Sequence, residues 1–314
     1  MAIREESMSR RPQPSRKKSS RGSILFRRTT ALVSAGALIA SALMIITSCS
    51  KQEAESSSEV EMTYTSKVET TPAVTTPAPE PVLTLLPGAQ ERLDRNPDSA
   101  GWLTIDGVVD EEFVHRTDAE TGNSYYLDHD IDGNSSVKGV IFADFRNILD
   151  GSKTSGNIVL YGHNERDNDR LGNVDQYYWG LSAAQPSLSY YKKHALINLS
   201  TNYTQRQYKI FAIFSTNTLP QHDNGNVFDY HNYIDLSDET RYNDFISNVM
   251  ERSYIDTGID VQYGDKFLTL STCGTQYDGQ RVVVVGRQVR EGESADIDLD
   301  QVKMNDYKLP AIFN

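Results

Sequence analysis

Hydrophobic positions along this chain recur mostly with a period of two. Leu268-Thr-Leu-Ser-Thr-Cys273 alternates apolar and hydroxyl residues, the pattern of a half-buried strand. Gly274 to Gln280 follows, rich in Gly, Asp and Gln, and predicts a loop. Arg281-Val-Val-Val-Val-Gly-Arg287 then opens a second β-branched run. Two strands joined by so short a loop pair antiparallel in the simplest arrangement, which sets Cys273 and Arg281 facing each other at one mouth. Further strands are predicted at Gly101–Ile105, Gly139–Ala143, Asn157–Tyr161, Ala195–Leu199 and Tyr208–Phe214. At least seven short strands between turn-rich spacers predict a mainly β domain with added helices, closed or nearly closed as an antiparallel barrel.

The helical period appears clearly once. Tyr242, Phe245, Ile246 and Val249 form one apolar stripe behind Asp238 and Glu239, with Ser237 as the expected N-cap. This long helix lies between the strand at 208–214 and the Cys273 strand. A second helix is predicted around 174–192 and a short one around 88–95.

Charge divides the chain. Of 314 residues, 38% are hydrophobic and 24% charged, with a net charge of −12. Residues 1–30 hold nine basic and two acidic side chains, a net of +7, so the remainder carries −19. An acidic body is a poor partner for nucleic acid. Residues 1–28 form a basic tail, expected on the cytoplasmic side. Residues 29–50 contain no charge and are long enough to cross a bilayer, which predicts a transmembrane anchor with the body outside the cell. A signal peptide is the competing reading. Ile46-Thr-Ser-Cys49 also resembles the lipobox of bacterial lipoproteins, with Cys49 as the lipidated residue. Residues 51–87 are rich in Ser, Thr, Glu and Pro and predict a disordered stalk. Residues 88–314 then form one domain with room for a sizeable core.

The chemistry centres on the thiol. Cys49 and Cys273 are the two cysteines, and the folded part holds only Cys273. An unpaired cysteine in an extracytoplasmic domain is either a reactive thiol or a small buried hydrophobe. A nucleophilic cysteine works as thiolate, next to a proton carrier and a group that stabilises an oxyanion. His163 is the strongest of six histidines, because Tyr161-Gly-His163 follows a predicted strand directly. His115, His129, His194, His222 and His231 lie in polar segments and fit surface or structural roles. Among the cations Arg281 is nearest Cys273. Arg287 shares its strand face but lies about 20 Å further along, and is expected to be solvated or structural. No His, Cys and Asp cluster has metal-ligand spacing, and no cofactor is implied.

Together, Leu268–Cys273, Arg281-Val-Val-Val-Val and Tyr161-Gly-His163 resemble the signature of sortases, the cysteine transpeptidases of Gram-positive bacterial surfaces. Asn96-Pro-Asp-Ser-Ala-Gly-Trp102, Tyr125-Tyr-Leu-Asp-His-Asp-Ile-Asp-Gly-Asn134 and the long helix before the Cys strand look most like class B. The resemblance spans about residues 88 to 300. It implies a closed eight-stranded sortase-type β-barrel and a catalytic set of His163, Cys273 and Arg281. Cys273 would attack the Thr carbonyl of a C-terminal sorting motif, of the Asn-Pro-x-Thr or Pro-x-Thr-Gly type, and form a thioacyl enzyme. Arg281 would hold the carbonyl oxygen, and His163 would shuttle the proton. Ser271 would line the substrate groove. An amine of a cell-wall precursor, or a pilin lysine, would resolve the intermediate. Gly274-Thr-Gln276 follows the cysteine, where class B members often carry an acidic residue. The alternatives are a pilin-polymerising enzyme, a hydrolytic cysteine protease, and a non-catalytic surface lipoprotein that binds a ligand.

Overall fold

In the computed structural model, which describes residues 83–164, 170–179 and 188–313, every predicted strand is present. The barrel strands are β1 (Ser99–Ile105), β2 (Val109–Val114), β3 (Ile141–Ala143), β4 (Asn157–Tyr161), β5 (Leu196–Thr201), β6 (Gln205–Asn217), β8 (Phe267–Cys273) and β9 (Gln280–Gln288). They close in the order β1-β2-β3-β4-β8-β9-β6-β5. Two further short strands, β7 (Ile255–Asp256) and β10 (Lys303–Met304), pair with each other outside the barrel. The segments 1–28 and 29–50, and nearly all of 51–87, lie outside the described residues; among those described, no helix is long and apolar enough to cross a membrane.

The barrel is not wholly antiparallel as the strand spacing predicted. β2 pairs with β3, and β4 with β8, in parallel. Parallel neighbours need long crossovers, and these are the excursion between β2 and β3 and the run from β4 to β8 that contains α4. Gly139, at φ +59, lies two residues before β3, and a Cβ there would sit 2.2 Å from the Tyr126 carbonyl oxygen. Besides the two-residue β7 and β10, the strand missing from the sequence-based set is the barrel strand β2. Asp110, Glu111 and Glu112 fill its middle and hide the alternation, although the Asp106-Gly107 turn after β1 marks the hairpin.

Strands β8 and β9 are buried on both faces. Leu268, Leu270, Val282 and Val284 point into the barrel with Leu103, Phe113, Ile158 and Ile197. Phe267, Val283 and Val285 point outward, beneath α4 (Glu239–Arg252). Tyr242, Phe245 and Val249 of its stripe are buried there, each worth about 1.5–3 kcal/mol of apolar burial. The cap of α4 is Asp238, whose side chain accepts from Arg241 N at 2.8 Å, and not Ser237. Ser237 lies one position too early: its backbone N–H is held by Asp235 and its carbonyl by Tyr263. The short helix is α1 (Ala89–Arg95). The helix predicted at 174–192 is two pieces, α2 (Gln176–Trp179) and α3 (Leu188–Lys193), separated by residues outside those described. Leu86 N–H donates to the Asn202 carbonyl at 2.8 Å, so the chain meets the domain just before Gly88.

Candidate active site

Strand order brings the three predicted residues together. β8 lies between β4 and β9. On one side Cys273 is the direct antiparallel partner of Arg281. On the other, β4 runs parallel to β8 up to the Tyr161–Ser271 pair. The two chains continue side by side: Gly162 N–H donates to Ser271 O at 3.3 Å and Thr272 Oγ1 to Gly162 O at 2.9 Å. His163 therefore arrives beside Cys273, one strand spacing of about 4.8 Å away at backbone level. Asn164 Nδ2 donates to the Cys273 carbonyl at 2.8 Å and ties the two ends together.

Side-chain parity does the rest. Cys273, Ser271 and Phe267 share the outer face of β8 as Arg281, Val283 and Val285 share that of β9. The inner residues of those rows lie under α4; the row ends at an exposed thiol and a half-buried guanidinium. A cavity of about 430 Å³ opens there, lined by His163, Cys273 and Arg281 together with Ser271, Leu127 and Tyr230 among others. His163 Nε2 donates to the Leu127 carbonyl at 2.7 Å, which fixes the orientation of the ring. Arg281 makes no ion pair among the described residues and is held by one bond to the Gln280 carbonyl, which leaves its charge available to a bound carbonyl oxygen. Arg287, at the far end of the same strand face, is 2% exposed and bonded by both Nη atoms to Glu293. It is structural and not solvated.

Ser271 is buried in the cavity wall, and its hydroxyl is engaged by Tyr230 OH at 2.6 Å. Burial pushes the Tyr230 hydroxyl above its ordinary value, so it remains a neutral phenol. His231, expected from its polar segment to have a surface or structural role, lines the same cavity. The signal was absent from the sequence, because the turn Tyr230–Asn232 is folded onto the site by Arg146, 84 residues before Tyr230 in the chain. His129 stacks on Tyr125 and His194 bonds the Asp106 carbonyl, both structural. Asn123, Leu127 and Phe142 are further lining residues that sequence reasoning passed over. No cluster of three metal-ligating side chains occurs among the described residues.

The glycine after the thiol has a local cause. A Cβ on Gly274 would lie 2.2 Å from Gln280 Oε1. Gln280 is buried and fastened at both ends, accepting from Gln276 N and donating to Ser215 Oγ. Its side chain fills the space that a larger residue after Cys273 would need.

No protein-family model matches the chain. Two characterised relatives do: sortase B of Staphylococcus aureus and sortase B of Listeria monocytogenes, each 29% identical over 199 residues. The match covers 62% of this chain and 72% and 71% of theirs. Among solved structures, the Staphylococcus aureus sortase B–substrate complex superimposes with a TM-score of 0.54 at 26% identity, covering 66% of this chain and 86% of that one. In sequence and in fold the chain is similar to the class B sortases. It is a cysteine transpeptidase, and its closed eight-stranded barrel is the sortase barrel. The sortase reading removes the non-catalytic lipoprotein from consideration.

Proposed function

We propose that this sortase is tethered to the cell membrane by residues 29–50, with its barrel outside the cell, and joins surface proteins to an amine of the cell wall. Cys273 thiolate attacks the Thr carbonyl of a C-terminal sorting motif. The tetrahedral oxyanion is held by Arg281, charge-assisted and forked. The C–N bond breaks as protonated His163 passes its proton to the leaving amine, giving a thioacyl enzyme. An incoming amine attacks the thioester carbonyl and loses its proton to His163, and Cys273 leaves as thiolate. Ser271, held by Tyr230, lines the path of the peptide. The basic tail 1–28 supports a cytoplasmic N-terminus.

The observation that carries this reading is the strand order: the Cys273 strand is flanked by Arg281 on its cross-strand partner and by His163 at the end of its parallel neighbour. The test incubates the full-length protein in detergent micelles with fluorogenic Asn-Pro-x-Thr and Pro-x-Thr-Gly peptides, with and without a glycine peptide as amine, beside Cys273→Ala. Cleavage lost in the variant, with a product mass that shifts by the added amine, is expected. Folded protein that cleaves no peptide and forms no adduct on Cys273 refutes the proposal. Cleavage whose products ignore the amine makes the enzyme a hydrolase.

A further inference from the structure

Three walls of the cavity hang on one buried carboxylate. Asp144 follows β3 and is fully buried. Its Oδ2 accepts from Asn123 Nδ2 at 3.0 Å, from Tyr161 OH at 2.9 Å and from Arg146 Nη2 at 2.8 Å. Its Oδ1 accepts from Arg146 Nε at 2.7 Å and from the Arg146 backbone N–H at 3.0 Å. Asn123 and Tyr161 line the cavity from two separate segments. Arg146 reaches a third: Nη2 also donates to the His231 carbonyl at 2.8 Å, and Nη1 to Asn232 Oδ1 at 2.9 Å. That turn presents Tyr230 and His231 to the cavity.

A carboxylate this deep is tolerated only while paired and hydrogen-bonded. Burial pushes Asp144 up, but donation from Arg146 and Tyr161 outweighs it and leaves the carboxyl below its ordinary value, ionised at neutral pH. A fully satisfied buried network is stiff, because loosening any one donor leaves charge unpaired in a low-dielectric site. The excursion between β2 and β3, the end of β4 and the turn 230–232 are far apart in sequence, and Asp144 and Arg146 together bond all three.

We propose that Asp144 is a positioning residue, which through Asn123, Tyr161 and Arg146 fixes the spacing of the cavity walls that grip the sorting peptide, without taking part in the chemistry at Cys273. The proposal rests on the cavity being the acyl-donor site. Displacing walls by about an ångström costs on the order of 100-fold in a positioned reaction. Asp144→Asn is therefore expected to lower kcat/KM for the sorting peptide roughly 10- to 100-fold, mainly through KM. Alkylation of Cys273 by iodoacetamide, which needs no walls, stays within about twofold of the unsubstituted protein.

A second readout is independent of turnover. Amide hydrogen exchange in 121–127 and 228–236 rises about tenfold or more in Asp144→Asn, while α4 and the β8–β9 hairpin are unchanged. Arg146→Lys keeps a charge on Asp144 but loses the fork, and its faster exchange is confined to 228–236. Unchanged exchange in both segments overturns the proposal. So does exchange that rises throughout the barrel while alkylation and turnover change together, which marks a general stabilising role. If Asp144→Asn does not fold, Arg146→Lys decides: no local increase at 228–236 overturns the proposal. If the unsubstituted protein cleaves no peptide, the transpeptidation mechanism fails, while the exchange data still decide whether Asp144 holds the walls.

Discussion

Glu293→Gln tests the division of labour between the two arginines of β9. Glu293 accepts four donors: Arg287 Nη1 and Nη2, each at 2.6 Å, Lys209 Nζ at 2.8 Å and the Arg290 backbone N–H at 2.9 Å. Arg287 and Lys209 have side chains 2% and 8% exposed, so one carboxylate neutralises two nearly buried cations. Removing one partner of a buried pair costs about 3–5 kcal/mol. Glutamine keeps one acceptor but turns an N–H₂ toward a donor, which points to the lower end, about 3 kcal/mol. For a domain of roughly 225 residues, each kcal/mol lowers Tm by about 2–4 °C, so a drop of about 6–12 °C is expected by circular dichroism at pH 7. The pH dependence follows from the carboxyl itself. Hydrogen bonding from Arg287, aided by Lys209 and opposed by burial, holds Glu293 well below its ordinary 4.5. Its contribution is complete above pH 4.5 and is lost as pH falls below that toward the depressed value. The Tm gap between the two proteins should be constant from about pH 5 to 8 and narrow in acid. On a Lys209→Met background the gap should shrink, because one stranded cation is gone. A loss of under about 3 °C at pH 7, or a gap that stays open in strong acid, refutes the assignment of Arg287 to structure.

Arg281→Lys should do the opposite, lowering kcat by roughly 10²–10³ with Tm unchanged, because a point charge cannot reproduce the fork and the native side chain stabilises little; equal turnover in both proteins counts against an oxyanion role. Gly274→Glu must push Gln280 from its buried site and break its bonds to Gln276 N and Ser215 Oγ, costing about 1–3 kcal/mol by denaturant titration. A crystal structure with Gln280 unmoved and stability unchanged would count against that packing argument. Burial lowers the pKa of both His115 and His231 below 6.5, so the unfolded chain takes up protons first and stability should decline as pH falls below about 6.5. Replacing both with Gln should flatten that slope between pH 7 and 5; an unaltered slope assigns it to other groups.

The seven strands and the α4 stripe were legible because each is a local pattern with its own period. β2 was hidden because Asp110, Glu111 and Glu112 interrupt its alternation while its ladder to β1 forms regardless. Ser237 was mistaken for the cap because Ser and Asp at adjacent positions are equivalent until the backbone of Arg241 selects one. The Cys273–Arg281 pairing was readable because so short a loop, six residues between the two strands, leaves little freedom in how they meet.

By itself the sequence determined seven of the eight barrel strands, which helix covers them, and which thiol, imidazole and guanidinium are available, since these depend on residues near one another in the chain. Only the tertiary structure decided the two parallel pairings, the arrival of His163 beside Cys273, the burial of Arg287 against Glu293, and the assembly of Asn123, Tyr161 and His231 around Asp144. Apart from the Arg287–Glu293 pair, which is close in the chain but closed by a turn and not by a periodic pattern, those contacts join positions far apart in sequence, and no local period carries information about which side chain will satisfy a buried charge.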